Sequence, residues 1–196
     1  MPDVFYPMQL LQAEAAVLYI RENAANLFAN QNVITCGFSA GGHLAAMTAV
    51  YYDLDIVLKT FNIKPEQARP SASILCYPVI SAIANPHIGS FENLMGTKNE
   101  KEFIKCSAEF AVNKNTPPIF LWHTADDNCV NIDNSITFAK HLSDNKVPFE
   151  MHIFESGPHG LSVCDESTAE GRKELIRPDV AAWIDLCAVW LDKRFN

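Results

Sequence analysis

A serine lies between glycines in the stretch Gly37-Phe38-Ser39-Ala40-Gly41. A serine hydroxyl is a weak nucleophile unless a histidine takes its proton and a carboxylate orients that histidine. Candidates for both partners follow later in the chain: Asp126 and Asp127 come after one apolar run, and His159 comes after another. The order serine, aspartate, histidine therefore predicts nucleophilic attack on an acyl carbon, with Asp126 and Asp127 equal rivals on physical grounds.

The residues around Ser39 indicate how the serine would be presented. A short β-prone run precedes it and an alanine-rich run follows, so a strand should turn directly into a helix there. We expect glycine on both sides of the serine because side chains at Gly37 and Gly41 would collide with the neighbouring strand and helix. The helix would then begin at once, which makes the Ala40 amide a candidate donor to an oxyanion.

The elements that must position these residues alternate along the chain. Apolar runs predict strands, and periods near 3.6 predict helices. Alternation of this kind favours an α/β fold, with a mostly parallel sheet flanked by helices and ligands bound beyond the carboxyl ends of the strands. We expect strands at 33–36, 73–77, 119–123 and 149–154, helices at 7–28, 41–58, 131–145 and 178–195, and loops with short helices at 81–117.

Composition limits the partners. The chain has 196 residues, a length that favours a single domain spanning residues 1–196. Its net charge of −8 makes nucleic acid and anionic membranes poor partners. No apolar run reaches the ~18 residues of a membrane span, and no secretory signal is visible, so we expect a cytoplasmic protein. The six cysteines contain no Cys-x-x-Cys pair. They predict reduced, buried thiols rather than zinc ligands, and nothing implies a metal or organic cofactor.

Other polar residues near these segments have simpler interpretations. His43 follows Ser39 by one helical turn, and packing within the helix is favoured over contact with a substrate. His123 either lines the site or bonds to backbone at its strand end, and His152 is expected to be structural. Glu155 lies close to His159 in sequence but is a weaker candidate than an aspartate on the preceding strand.

Several segments resemble the α/β-hydrolase esterases of the acetyl-xylan-esterase and hormone-sensitive-lipase type. They are "YPMQLLQAEAAVLYIREN" at 6–23, "GFSAGGHLAA" at 37–46, "YPVI" at 77–80, "PPIFLWHTADDNCVNIDNSITFAKHL" at 117–142 and "FEMHIFESGPHGLSV" at 149–163. In that family the catalytic aspartate is followed by two residues and a valine. The resemblance therefore implies Asp127, before Val130, as the acid and His159 as the base. It covers nearly the whole chain.

The sequence departs from that family in one respect. The glycine-rich His-Gly-Gly-Gly or Pro-Gly-Gly-Gly loop, which supplies further oxyanion amides in the family, is not found. We expect an N-terminally truncated α/β-hydrolase fold with the last four of the usual eight strands. The strand at 33–36 would then form a bare edge. Three explanations stay open: a fragment of a longer product, pairing of that edge with a partner or second copy in a homo-oligomer, or a weakly active relative.

The resemblance implies a serine-dependent carboxylic ester hydrolase that acts on small-molecule, short-acyl esters, such as acetyl esters of sugars or small alcohols. The expected roles are Ser39 as nucleophile, His159 as base, Asp127 as the group that orients it, and the Ala40 amide as oxyanion donor. The substrate-binding residues stay open. Two alternatives also remain: a serine peptidase of the prolyl-oligopeptidase type, and a non-catalytic binding protein with a hydrolase-like fold.

Overall fold

A computed structural model describes residues 4–27 and 30–196. The strands are β1 Ile34–Phe38, β2 Ala72–Cys76, β3 Ile119–Thr124 and β4 Phe149–Phe154. The helices are α1 Met8–Glu22, α2 Ala40–Val50, α3 Asp55–Phe61, α4 Pro65–Ala68, α5 Ile88–Met95, α6 Glu100–Phe103, α7 Asp133–Asp144, α8 Glu166–Ala169, α9 Pro178–Ala181 and α10 Trp183–Phe195. Short 3₁₀ turns occur at Ile104–Cys106, Ala108–Ala111 and Lys173–Leu175.

Within the described residues the strands form one parallel sheet in the order β1-β2-β3-β4. The register aligns Phe38 with Cys76, Cys76 with Trp122, and Trp122 with His152. Parallel neighbours require crossover connections, and the segments between the strands supply them as helices. All four strands therefore end at the same edge of the sheet, where the loops that carry Ser39 and its expected partners begin.

The sheet is covered by helices on both faces, as the sequence predicts. Alternate residues of β3 point to opposite sides: Phe120 and Trp122 pack with Trp183 and Trp190 of α10, whereas Leu121 packs with residues of α2 and α7. The rings of Trp122 and Trp183 are stacked, with their centroids 5.4 Å apart. Each large apolar side chain buried in this way contributes about 1.5–3 kcal/mol to folding, which holds the strand ends in fixed positions.

Three helix boundaries differ from those expected. The helix expected at 7–28 ends at Glu22, and residue 28 lies outside the described residues. The helix expected at 41–58 is split into α2 and α3. At this break the Tyr51 hydroxyl donates to Lys105 O and the Tyr52 hydroxyl donates to Asn115 O, so tertiary contacts override local helix propensity. The last helix is also interrupted, at Ala182 between α9 and α10.

The β1 strand lies at one edge of the sheet, and this position corrects one expectation about the cysteines. Cys76 and Cys187 are buried as expected, but Cys36 is exposed on β1, which is an edge strand of the sheet within the described residues. Cys129 is also exposed, in the loop after β3. None of the helices in residues 4–27 and 30–196 combines the length and apolar character that a bilayer crossing requires.

Candidate active site

Ser39 occupies a strained turn between β1 and α2. Its backbone angles are φ 55° and ψ −119°, a conformation that costs a residue with a side chain roughly 1–3 kcal/mol. Three backbone hydrogen bonds hold the turn: Ser39 N donates to Cys76 O at 3.0 Å, and Ser39 O accepts from His43 N at 3.1 Å and from Val79 N at 3.2 Å. The turn is therefore fixed by both the strand beside it and the helix after it.

The glycines near Ser39 differ in whether the structure requires glycine at that position. A Cβ at Gly37 would lie 2.0 Å from Gly41 O, so only glycine fits there. At Gly41, where the sequence also predicted a collision, no atom lies within 4 Å of such a Cβ, and that prediction is wrong. The second crowded position is Gly42, whose Cβ would lie 2.9 Å from Pro78 Cβ. Close packing of α2 against the segment after β2 thus requires Gly42, and Gly41 faces open space.

The structure brings together the three side chains that the sequence singles out. Ser39 Oγ lies 2.7 Å from His159 Nε2, and His159 Nδ1 lies 2.7 Å from Asp127 Oδ2. Ser39 comes from the end of β1, Asp127 from the loop after β3, and His159 from the loop after β4. Both distances are those of good hydrogen bonds. The arrangement can pass a proton from the serine hydroxyl to an imidazole that a carboxylate holds in place.

The two neighbouring aspartates have different contacts. The side chain of Asp127 is 1% exposed, and its Oδ1 accepts from Cys129 N at 2.9 Å and from Val130 N at 3.0 Å. Asp126 is exposed, and its Oδ1 accepts from Gly157 N at 2.7 Å, in the loop that carries His159. Burial raises the pKa of Asp127, but the nearby His123 ring, the hydrogen bond with His159 and those from two backbone amides outweigh burial and hold the pKa below its usual range. Asp127 is therefore the carboxylate that contacts the imidazole.

Tyr77 is a neighbour of the imidazole that sequence reasoning missed. Its ring lies edge-on to the His159 ring, with centroids 5.0 Å apart, and its hydroxyl accepts from Ser162 N at 2.9 Å. Tyr77 follows β2 directly and has a positive φ of 37°. The sequence does contain a signal for Tyr77: an aromatic residue directly after a parallel strand lies at the edge of the sheet where the site forms.

His123 is bonded to backbone, as one of the two expected interpretations held, and it also contacts the aspartate. The residue is fully buried at the end of β3. Its Nδ1 lies 2.7 Å from Ser135 Oγ, and its Nε2 lies 3.0 Å from Val130 O and 3.4 Å from Asp127 Oδ2. This contact with Asp127 was not foreseen, although the two residues are close in sequence.

The remaining polar candidates lie outside this contact network. His43 is buried, its Nε2 lies 2.7 Å from Cys106 O, and burial lowers its pKa to about 4. His152 Nε2 lies 3.0 Å from Glu150 Oε1 on the same strand, and Glu155 is exposed. The structural interpretations of His43 and His152 are thus consistent with their contacts.

A cavity of about 360 Å³ opens beside the N-terminal turn of α2. Its lining is mainly apolar, with a few polar side chains, and consists of Gln9, Ala40, Gly41, His43, Leu44, Met47, Ser90, Asn93 and Leu94. Ala40 is the first residue of α2 and is exposed. Amides in the first turn of a helix have no partner within the helix, and Ala40 N–H is one of them.

A serine on a strained strand-to-helix turn, with its histidine and aspartate on later strand ends of a parallel sheet, is characteristic of the α/β-hydrolases. This chain has the α/β-hydrolase fold. Residues 1–142 match the family model described as BD-FAE, and the chain belongs to that family.

Related proteins of known structure share this fold. The acetyl ester-xyloside bifunctional hydrolase from Caldicellulosiruptor lactoaceticus is 35% identical and superposes with a TM-score of 0.81 over 98% of this chain and 68% of its own. A carboxylesterase from Lactobacillus plantarum is 27% identical, with a TM-score of 0.83 over 98% of this chain and 70% of its own.

Two curated relatives are similar in sequence. Endo-1,4-beta-xylanase B of Butyrivibrio fibrisolvens is 35% identical over 158 residues, and an acetylxylan esterase of Xylanibacter ruminicola is 30% identical over 165 residues. These matches cover 80% and 81% of this chain. The chain spans only 25% and 30% of the two relatives' own lengths.

Proposed function

We propose that this protein is a serine-dependent carboxylic ester hydrolase. The observation that carries the proposal is the continuous hydrogen-bonded path from Ser39 Oγ through His159 to Asp127, with both links 2.7 Å long. The names of its relatives, which include a carboxylesterase and an acetylxylan esterase, support the same class of reaction.

The reaction follows from these contacts. Ser39 Oγ attacks the ester carbonyl carbon while His159 Nε2 takes the hydroxyl proton, and Asp127 stabilises the cation formed on His159. The Ala40 N–H donates to the oxygen that becomes negative. The intermediate then expels the alcohol, which receives the proton from His159, and leaves an acyl group on Ser39. Water then attacks that acyl group while His159 takes its proton. As the carboxylic acid leaves, His159 returns the proton to Ser39 Oγ and the serine hydroxyl is restored.

We further propose that the acyl group is short, with acetyl esters of sugars or small alcohols as the substrates. The names of two relatives support this proposal: one is an acetylxylan esterase, and the other is an acetyl ester-xyloside bifunctional hydrolase. The cavity of about 360 Å³ beside Ala40 is next to the proposed nucleophile in sequence, but Ser39 and His159 are not among its lining residues, so only the relatives indicate the acyl length. Hydrolysis of p-nitrophenyl esters of increasing acyl length tests this point, and a rate that rises steadily with chain length contradicts it.

Covalent labelling with a fluorophosphonate probe tests the proposed nucleophile. We expect the wild-type protein to be labelled, Ser39→Ala to lose the label, and Ser143→Ala to keep it, because Ser143 is exposed on α7 away from these contacts. Absence of labelling in the wild type would favour a non-catalytic binding protein. Faster hydrolysis of a prolyl p-nitroanilide than of p-nitrophenyl acetate would favour a peptidase.

The two aspartates provide a matched pair of variants. Asp127→Asn removes the carboxylate that holds His159, and we expect kcat for p-nitrophenyl acetate to fall by roughly 10³–10⁴. Asp126→Asn keeps an oxygen that can accept from Gly157 N, so we expect less than about a tenfold change. Equal losses in the two variants would contradict the assignment of Asp127.

A further inference from the structure

His123 is a buried histidine that no step of the proposed reaction uses. Its side chain is 0% exposed, and both ring nitrogens have partners: Ser135 Oγ at 2.7 Å from Nδ1, and Val130 O at 3.0 Å from Nε2. The same Nε2 lies 3.4 Å from Asp127 Oδ2, which is the oxygen that accepts from His159 Nδ1. His123 is thus placed to act on the carboxylate that orients His159.

The partners of His123 fix where its hydrogen is. A carbonyl oxygen can only accept a hydrogen bond, so the contact with Val130 O requires a hydrogen on Nε2, whichever role Ser135 Oγ has toward Nδ1. That hydrogen is donated to Val130 O, and Asp127 Oδ2 lies beside the same nitrogen, 3.4 Å away. At 3.4 Å the link to Oδ2 is longer than a standard hydrogen bond, so the bond to Val130 O is the principal one.

His123 therefore acts on both oxygens of the carboxylate. It approaches Oδ2 directly, and it holds the carbonyl of Val130, whose amide donates to Asp127 Oδ1 at 3.0 Å. During the reaction His159 gains and loses a proton, but the contacts that Asp127 receives from His123 and Val130 do not depend on that proton. They can keep the carboxylate in one orientation throughout the cycle.

We propose that His123 is a positioning residue for Asp127: its Nε2–H holds the backbone of Val130, which donates to Oδ1, and its ring lies against Oδ2, so that Oδ2 stays aligned with His159 Nδ1. The expected change in kcat rests on the proposed ester hydrolysis. The placement of the His159 Nδ1 hydrogen can also be measured without any activity.

Two variants at the same position separate positioning from simple packing. His123→Met fills the site without a donor, whereas His123→Gln keeps an amide N–H near the position of Nε2. We expect kcat for p-nitrophenyl acetate to fall about 10- to 100-fold in His123→Met, with KM within about twofold, because the buried carboxylate loses the polar group beside Oδ2 and Val130 O loses its donor. His123→Gln should recover most of this loss. His152→Met is the control, because the side chain of His152 hydrogen-bonds only Glu150 among the described residues. The kcat of this variant should equal that of the wild type.

Nuclear magnetic resonance of protein with ¹⁵N-labelled histidine provides the second readout. In the wild type we expect a hydrogen on His123 Nε2 and a slowly exchanging hydrogen on His159 Nδ1, and the latter should exchange faster in His123→Met. A wild-type His123 without a hydrogen on Nε2 overturns the proposal even if the variants fail to fold. So does a His123→Met protein with unchanged exchange. Changed exchange in a protein that hydrolyses no ester supports the positioning role and counts against the proposed function alone.

Discussion

Glu14 has an unusual environment that allows a quantitative prediction. It lies on the buried face of α1 with Leu10, Val17 and Leu18, and it is 0% exposed. Neither carboxylate oxygen has a hydrogen-bond partner within residues 4–27 and 30–196. Burial raises the pKa of Glu14 from its usual 4.5 to about 8, against a smaller opposing effect of Arg21. The protonated form is therefore favoured in the folded protein.

The size of the effect follows from linkage between protonation and folding. Because the folded pKa is raised, the stability contributed by this group is fully present below about pH 4.5 and is lost as the pH rises through about 8. Each tenfold difference in proton affinity between the folded and unfolded chain corresponds to about 1.36 kcal/mol. Between about pH 5 and about pH 9 the free energy of unfolding should thus fall by on the order of 4 kcal/mol through Glu14 alone.

Urea unfolding of the wild type and Glu14→Gln at these two pH values tests the prediction. Glutamine cannot ionise, so the variant should lack this part of the pH dependence whatever its stability at the lower pH. Glu22→Gln, which changes an exposed residue on the same helix, is the matched control and should follow the wild type. Parallel curves of stability against pH for wild type and Glu14→Gln would refute the reasoning.

Two further predictions concern the glycines and the cysteines. Gly37→Ala would place a Cβ 2.0 Å from Gly41 O, so it should lower the free energy of unfolding by more than about 3 kcal/mol. In Gly41→Ala the added Cβ meets no atom within 4 Å, so the free energy of unfolding should change by less than about 1 kcal/mol. Urea denaturation measures the stability of both variants, and equal effects would contradict the described turn. Thiol titration with Ellman's reagent should detect Cys36 and Cys129 rapidly in the native protein and the four buried thiols only after denaturation. Six fast thiols would contradict the described burial.

Much of the fold and of the candidate site could be predicted from the sequence, because the strong signals are local. The runs that form β3 and β4 are apolar and end in turn residues, which places Asp127 and His159 at one edge of a parallel sheet. The glycine frame of Ser39 likewise identifies the strand-to-helix turn. A parallel sheet places the three residues at one edge, and the loops after β3 and β4 then bring Asp127 and His159 to Ser39.

The details that could not be predicted depend on contacts between distant segments. On physical grounds alone Asp126 and Asp127 are equal rivals; the family resemblance selects Asp127, and the folded geometry shows Asp127 facing the imidazole while Asp126 accepts from Gly157 N. The break after α2 coincides with a hydrogen bond from the Tyr51 hydroxyl to Lys105 O, more than fifty positions along the chain, which no local pattern indicates. The exposure of Cys36 depends on which strand is outermost, and its apolar neighbours in sequence give no information about that.

The two ends of the serine–histidine contact, Ser39 and His159, are 120 positions apart in sequence. The contact needs β1 and β4, the two outer strands of the sheet among the described residues, to be in place, and sheets built from such distant pairings assemble slowly. Regained labelling of Ser39 after dilution from denaturant would therefore report the last stage of refolding. Helical content should recover earlier, because α2 and α7 are formed by bonds between near neighbours.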